Sequence, residues 1–522
     1  MAQVINSNIQ SLNSQRNLSS SQANLSTSLQ RLSSGLRINS SKDDAAGLAI
    51  SERFTSQIRG NQQAARNAND GISLAQTAEG GLSTAGDLLQ RVRELAVQSA
   101  NGSNSASDRA SIQNEVSALS KELDRVATST QFNGQNVLDG SLTSTQFQVG
   151  ANSNQTIDIG VQSAKARDIG NNTIKPADTA TSLSQAVTSG AANLDADLGS
   201  NMVAEKLTIK SGAGASQDIF LKKQDNTVGA VVVGDTAKSV ATKVNSAAGT
   251  TGVTAEAKTD ATLSKIKDGA VNFQLRGANS LANDPNSKAV TISAKVVGGD
   301  LSALAQAVNA QTATTNVTAS IKLDASGNKE LQLKDNAGND IQIATQAGDV
   351  ALQAAELRGH DVAGVAGTGI ALSSTTPVAA SVGGRVEFSS DSGFSVTTDQ
   401  ATSAVTGGTT ATIGSDLQSV DKIDVSTVDG ANAALKTIDS ALNAINKNRA
   451  DLGAIQNRFA STIANLNTTT ENLSASRSRI QDTDFAQETA NLTRGQILQQ
   501  AGTAMLAQAN SLPNGVLSLL RG

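Results

Sequence analysis

A long heptad pattern near the carboxyl end of the chain limits what this sequence can fold into. Large apolar side chains recur every seven residues between positions 438 and 480, and other apolar residues fill intermediate positions. This spacing predicts one helix of about a dozen turns with an apolar stripe along one face. Removing a Leu or Ile from water is worth roughly 1.5–3 kcal/mol, so the stripe requires partner helices. The stripe consists of Ile438, Ile445, Leu452, Phe459, Leu466, Leu473 and Ile480.

The amino-terminal part of the chain supplies candidate partners for this stripe. Two helical stripes are separated by a polar break at residues 40–44, which has the chemistry of a helix start. Asn101-Gly102 predicts the turn that ends the second helix, and a shorter helix follows over residues 112–126. Alternating residues at 146–149 and 156–159 predict a β-hairpin. The leading apolar positions are Leu25, Leu29, Leu32 and Leu36 in the first stripe, and Leu82 and Leu89 in the second.

The fold class predicted from these patterns is mainly α at two paired termini, which form a coiled-coil-like rod with one β-hairpin. Between them, residues 176–415 are rich in Gly, Thr, Val and Ala and predict inserted β-rich α+β domains. An internal repeat with an offset of 64 residues predicts two modules there, at about 205–280 and 288–345. The expected domain limits are 1–42 and 481–522 for an inner terminal-helix domain, 43–175 and 416–480 for the rod, and 176–415 for a surface-exposed insertion.

Composition excludes several classes of function. The chain has 522 residues, a net charge of −5, one histidine and no cysteine, tryptophan or tyrosine. It therefore has no basic field or aromatic platform for nucleic acid, no thiolate nucleophile and no two-histidine zinc motif. His360 lies in a polar stretch and is expected at the solvated surface. We expect no enzyme activity, cofactor or metal, and no apolar run approaches the ~18 residues of a membrane span.

Motifs at both ends closely resemble bacterial flagellin. The amino-terminal motifs are Met1-Ala-Gln-Val-Ile-Asn6, Arg31-Leu-Ser-Ser-Gly-Leu-Arg-Ile-Asn39, Lys42-Asp-Asp-Ala-Ala-Gly47, Asn67-Ala-Asn-Asp-Gly-Ile72 and Leu89-Gln-Arg-Val-Arg-Glu-Leu-Ala-Val-Gln98. The carboxyl-terminal motifs are Arg477-Ser-Arg-Ile480, Asp482-Thr-Asp-Phe485 and Val516-Leu-Ser-Leu-Leu520. The resemblance covers roughly residues 1–175 and 415–522, and the inserted repeat resembles the family more weakly.

The resemblance implies a homopolymer, the extracellular filament of the bacterial flagellum, which serves swimming motility. It further implies type III export without a signal peptide, with an export chaperone, a filament cap and hook-junction proteins as partners. In the family, the positions of Arg91, Leu95 and Glu115 form the centre of contact with Toll-like receptor 5. The positions of Val516, Leu517, Leu519 and Leu520 match the end recognised by NAIP-type sensors. Filament packing is the other interpretation of Leu95 and the terminal residues.

Two alternatives remain at this point. A hook–filament junction protein shares related ends, but its terminal motifs are expected to diverge from those quoted. A coiled-coil stalk with a β-rich adhesin head would use the same heptads, but it would not need charge-poor termini at both ends. Between Met1 and Leu36 the charged residues are Arg16 and Arg31, and residues 489–520 carry Arg494 alone. Such helices suit packing among copies of themselves better than exposure to water.

Overall fold

The computed structural model of the chain describes residues 7–520 apart from several short segments. These are 177–181, 190–192, 195–197, 199, 213, 224–233, 282, 285, 325, 348, 362–363, 373–376, 402 and 408–411, and only the backbone is described for 189 and 512–520. The helices are α1 (Ile9–Ser34), α2 (Ala45–Ala100), α3 (Ala106–Ser129), α4 (Ala237–Ser246), α5 (Ala248–Thr251), α6 (Ser302–Asn309), α7 (Thr312–Thr315), α8 (Val428–Gln481) and α9 (Phe485–Leu520). The predicted fold class, helical termini around a β-rich middle, is confirmed.

The strands of the described residues form five sheets. In chain order the strands are β1 (Gln131–Phe132), β2 (Gln135–Asn136), β3 (Thr145–Gln148), β4 (Thr156–Ile159), β5 (Gly170–Ile174), β6 (Ala186–Ser189), β7 (Glu205–Ser211), β8 (Ser216–Leu221), β9 (Thr254–Ser264), β10 (Gly269–Arg276), β11 (Val290–Val296), β12 (Thr318–Leu323), β13 (Lys329–Asp335), β14 (Ile341–Thr345), β15 (Glu356–Gly359), β16 (Ile370–Ala371), β17 (Ala379–Val382), β18 (Arg385–Ser390), β19 (Phe394–Thr398), β20 (Thr412–Gly414) and β21 (Asp416–Ser419). The larger sheets have the orders β12-β13-β9-β18-β5-β21, with β15 paired to β9 and β16 paired to β15, then β11-β10-β14-β17-β6, and β20-β19-β7-β8.

The chain divides into two compact units. The first contains residues 1–80, 131–162 and 449–522, and the second contains 81–130 and 163–448. Helices α2 and α8 contribute to both units, because their lengths of 56 and 54 residues span the division. The predicted hairpin is confirmed as β3 and β4 in the first unit, with Phe147 opposite Ile157.

Local chemistry explains where the terminal helices begin and end. Asn8 caps α1 by accepting a hydrogen bond from the Ser11 amide, and Asp44 accepts one from the Gly47 amide at the start of α2. Ser105 and Asp108 form a capping box at the start of α3. The predicted helix start after residues 40–44 and the turn at residues 101–102 are therefore confirmed.

The predicted α1 stripe is wrong at Leu36. The helix ends at Ser34 because Gly35 adopts the left-handed conformation, with φ +72°. Leu36 lies beyond that point and forms an isolated antiparallel bridge with Asp482. The Thr483 amide donates to the Gly35 carbonyl at 3.0 Å, so this bridge joins the two ends of the chain. Heptad spacing alone could not reveal that the helix ends before Leu36, since Leu36 continues the apolar period of the helix.

The two predicted modules contain equivalent side-chain hydrogen bonds at matching positions of the repeat. The Asn245 side chain donates to the Ala255 carbonyl at 2.9 Å and accepts from its amide at 2.8 Å. Asn309 does the same with Ala319, at 2.9 and 2.7 Å. In each copy a short helix pair precedes a strand, and the asparagine ties that strand to the preceding helix.

His360 is buried, so the prediction of a solvated surface residue is wrong. It is 7% exposed and directly follows β15, which pairs with β9 inside the largest sheet. Its Nδ1–H donates to the Gly364 carbonyl at 3.1 Å, and Nε2 is bonded to the Thr262 hydroxyl. The prediction relied on the polar residues next to His360 in the sequence. Its burial instead comes from residues distant in the chain, which cover the end of β15 in this wide sheet.

Candidate functional site

Helices α1 and α9 form an antiparallel pair in the first unit. Asn8 donates to the Ala509 carbonyl at 2.8 Å, and the Ser11 hydroxyl donates to Asn510 at 2.7 Å. Farther along, Leu18 lies over Gly502 and Leu25 over Gly495; a Cβ at either glycine would lie 3.2 Å from the leucine Cδ1. The two glycines are seven residues apart, as are the two leucines, so each leucine meets a gap in the facing helix. Sequence reasoning named Leu25 but missed this glycine spacing.

This terminal pair leaves much of its apolar surface in water. Leu25 and Leu32 are half-buried, whereas Leu29 is 50% exposed. Large apolar side chains do not stay this exposed on an isolated soluble helix pair without a cost in free energy. The exposed members of the pair are Ile9 (60%), Leu12 (55%), Leu29 (50%), Phe485 (57%), Ile497 (59%), Leu498 (49%) and Met505 (61%). We refer to these seven side chains as the terminal apolar surface.

Within each unit, α8 packs against α2 along the predicted stripe. In the second unit Ile438 and Ile445 are fully buried, Gly86 faces Ile445, and Arg93 pairs with Asp439 at 2.7 Å. Leu82 and Leu89 of α2 are also fully buried. Leu452 and Phe459 are buried in the first unit, and the last members of the stripe, Leu466, Leu473 and Ile480, are half-buried.

Phe459 is the best-packed aromatic side chain of the first unit. It is 0% exposed, and its ring lies against Gly71 of α2 so closely that a Cβ there would be 2.7 Å from the ring. Phe147 of β3 contacts it edge to face, with ring centroids 5.9 Å apart and planes at 88°. Asn67 donates to the Gln148 carbonyl at 2.9 Å and fastens the hairpin to the same helix. Phe459 therefore joins α8, α2 and the hairpin.

The residues matched to the receptor contact separate into exposed and buried members. Arg91 donates to Glu94 at 2.9 Å and to Glu115 at 3.0 Å, and all three side chains are at least 48% exposed. The hydrogen bonds that Arg91 donates to Glu94 and to Glu115 raise the pKa of its guanidinium. Leu95 is 2% exposed, so its side chain belongs to the packed interior of the second unit. The side chains of Val516, Leu517, Leu519 and Leu520 lie outside the described residues.

Buried acidic groups in the second unit have structural partners. Glu205 is 4% exposed and accepts a hydrogen bond from the Thr398 hydroxyl at 2.8 Å, while burial raises its pKa. Burial likewise raises the pKa of Asp335, which accepts from Asn339 at 2.9 Å and from Asn316 at 2.8 Å. Across the described part of the chain, His, Cys, Asp and Glu form no cluster of three or more that could hold a metal. Among those same residues, no helix combines the length and apolarity of a membrane span.

Long paired helices with an uncovered apolar surface define the chain as a self-assembling structural subunit. Models of the bacterial flagellin N-terminal and C-terminal helical regions match residues 5–143 and 435–520. The chain is 42% identical over 528 residues to the B-type flagellin of Pseudomonas aeruginosa, with 100% of both chains covered. It is 37% identical over 561 residues to a flagellin of Salmonella choleraesuis and 35% identical over 520 residues to flagellin B of Vibrio cholerae, again over 100% of each chain.

The chain belongs to the bacterial flagellin family and is a structural subunit of the helical flagellar filament. It is not an enzyme, and it forms a homopolymer outside the cell. The two alternatives considered from the sequence, a junction protein and a stalk with an adhesin head, are set aside by the full-length matches.

Proposed function

We propose that subunits bind one another in the filament through the terminal apolar surface. The observation that carries this proposal is the exposure of its seven large side chains, between 49% and 61%, on one helix pair. Few charges interrupt the pair: the described part of α1 carries Arg16 and Arg31, and that of α9 carries Glu488 and Arg494. Burial of this surface against the same helices of another subunit is therefore more favourable than its exposure to water.

The geometry of a filament follows from how such a surface is covered. When one face of a subunit binds a different face of the next, and the rotation does not close, an open helical lattice results. Each large apolar side chain buried in the lattice contributes roughly 1.5–3 kcal/mol when its burial is complete. Many small contributions of this kind, repeated along the lattice, stabilise a long polymer of weakly charged helices.

A single polar substitution in the terminal apolar surface tests this proposal. We expect Ile497→Asn to raise the critical concentration for polymerisation about tenfold, because the 59% of the side chain that is exposed in the free subunit would no longer gain from burial. Ile and Asn have similar helix propensities, so the helix itself changes little. Sedimentation of polymer and negative-stain electron microscopy give the measurement.

Val350→Asn is the matched control, since Val350 is 60% exposed but lies in the inserted region. We expect its critical concentration to equal that of the parent chain. Equal critical concentrations for Ile497→Asn and Val350→Asn would contradict a role for the terminal apolar surface in assembly.

We further propose that the Arg91 region of the free subunit is a ligand of Toll-like receptor 5. Support comes from the match of Arg91, Leu95 and Glu115 to the family's contact positions and from the exposure of the Arg91–Glu115 ion pair. Buried Leu95 would act by holding Arg91 in place rather than by contact. In the same way, the export chaperone, cap, junction proteins and NAIP-type sensors are partners that we infer from family membership.

Charge reversal at Arg91 tests the receptor proposal. Arg91→Glu places a third carboxylate beside Glu94 and Glu115, so we expect the concentration needed for receptor signalling to rise at least about tenfold. Arg125→Glu is the control, because Arg125 forms a comparably exposed ion pair with Glu122 on α3. A reporter-cell assay with dilute monomer measures both variants, and unchanged signalling by Arg91→Glu would overturn the proposal.

A further inference from the structure

The first turns of α8 present a polar face to the inserted sheets of the second unit. Four side chains on this face are spaced by seven, four and three residues, which places them on one side of a helix. Each meets a polar partner from the largest sheet or from the turn that follows β18. The contacts are Asp429 with Lys334 at 3.4 Å, Lys436 with Glu256 as an ion pair, and Ser440 and Asn443 with Asp391, the latter at 3.2 Å. We refer to this set as the polar joint.

The opposite side of the same turns is apolar and belongs to the helical part of the unit. Ile438, Ala441 and Ile445 are fully buried there. The main hydrophobic clusters of the inserted sheets consist of strand, short-helix and loop residues between 174 and 405, and none of their members comes from α8. Within the described residues, the inserted sheets and α8 therefore have separate hydrophobic cores, and the polar joint lies between them.

An open, water-accessible cavity reinforces this separation. It has a volume of about 410 Å³ and lies between α8 and strands β9 and β18. Its lining is mostly polar, with Asn171, Thr254, Ser389, Asp391, Lys436 and Asn443 among its residues. Lys436 and Glu256 both line this cavity, and Asp429 of the other ion pair is 85% exposed, so water and screening ions can reach both ion pairs.

The chain enters and leaves the inserted sheets at two adjacent points. Residues before β5 are tied to the helices, since Asp124 of α3 accepts from the Ala166 amide at 2.8 Å. Residues after β21 are tied to α3 as well, because the Val425 amide donates to the Gln113 side chain at 2.7 Å. The Val420 amide donates to the Ile169 carbonyl at 3.1 Å and so joins the two connecting segments to each other. The sheets could rotate about the two strand ends at residues 170 and 419 without breaking these ties.

We propose that the polar joint is a salt-sensitive latch that holds the inserted sheets against α8 and opens without unfolding either part. Exposed ion pairs are individually weak, and the screening length falls from about 30 Å at 0.01 M salt to about 3 Å at 1 M. With no shared apolar core to add to this, ionic strength sets the fraction of subunits in which the insertion is docked. The fraction of inserted sheets docked at the filament surface would therefore change with the salt concentration of the medium.

Engineered cysteines test the latch, because the chain contains no cysteine of its own. In Ser440→Cys/Asp391→Cys, the two ion pairs of the joint remain and disulfide closure reports docking. Thr254→Cys/Ser389→Cys is the control, since these hydroxyls lie 3.0 Å apart across β9 and β18 inside the sheet. Closure rates in oxidised glutathione are measured on dilute monomer at about 10 mM and about 1 M NaCl.

We expect the ratio of the joint rate to the control rate to fall at least about fivefold at high salt, with unchanged helicity by circular dichroism. Adding Glu256→Gln to the joint pair removes the Lys436 ion pair, so it should lower the ratio at low salt and weaken its salt dependence. A ratio that is equal at both salt concentrations would overturn the proposal. Loss of helicity at high salt would also overturn it, because opening would then be unfolding.

Discussion

A chain lacking residues 1–36 and 489–522 is expected to form no filaments under conditions in which the full chain forms long tubes. The deletion removes α1 and nearly all of α9, and with them every member of the terminal apolar surface except Phe485. Each of these side chains contributes roughly 1.5–3 kcal/mol when fully buried between subunits. Losing six of them together removes most of the free energy that holds neighbouring subunits in the polymer. Negative-stain electron microscopy of both chains, concentrated with a little precipitating salt, gives the measurement.

The truncated chain must remain folded for this result to be informative. Its core is retained, because Ile438, Leu452 and Phe459 of α8 and Leu82 and Leu89 of α2 all lie outside the deletion. Circular dichroism should therefore show strong residual helicity. Tubes formed by the truncated chain would contradict the role assigned to the termini. A full chain that stays monomeric even when seeded with filament fragments would contradict the self-assembly of the isolated subunit.

Phe459→Ala is expected to destabilise the first unit by about 3–5 kcal/mol. The ring is 0% exposed and fills the space between Gly71, Phe147 and α8 itself. Removing it leaves a cavity that the glycine cannot fill, and it also removes the edge-to-face contact that holds the hairpin. Urea denaturation followed by far-ultraviolet circular dichroism measures the loss, since the chain has no tryptophan or tyrosine for fluorescence.

Phe485→Ala is the matched control for this substitution. Phe485 is 57% exposed in the free subunit, so its loss should change the free energy of unfolding by less than about 0.5 kcal/mol. With two units the chain can unfold in more than one transition, so the comparison uses the midpoint of each transition separately. Equal effects of the two substitutions would contradict the central position of Phe459.

The helical ends could be predicted well because their determinants are local. The heptads of α8, the polar residues 40–44 and the turn residues 101–102 each act within one or two helical turns. The hairpin was equally accessible, since β3 and β4 are neighbours in the chain. The surface of the terminal pair was only partly predicted: low charge marked both ends, but which apolar side chains remain exposed depends on how α1 and α9 are rotated against each other.

Errors arose where distant segments decide the environment of a residue. His360 is buried because β9, almost a hundred positions earlier, lies beside it in the sheet. Leu95 fits a contact motif, yet the packing of the second unit encloses it. The sheet order β12-β13-β9-β18-β5-β21 joins strands from residue 170 to residue 419, and no local pattern encodes such pairing.

By itself, the sequence determined that this chain has long helices at both ends, that they need partners, and that it resembles flagellin. These properties depend on periodicity, charge and short motifs, which act over a few residues. Only the tertiary structure decided which apolar side chains remain for other subunits, how Phe459 joins three elements, and that the inserted sheets meet α8 through polar contacts. Those features depend on the relative placement of segments far apart in the chain, where packing and burial, rather than local propensity, set the free energy.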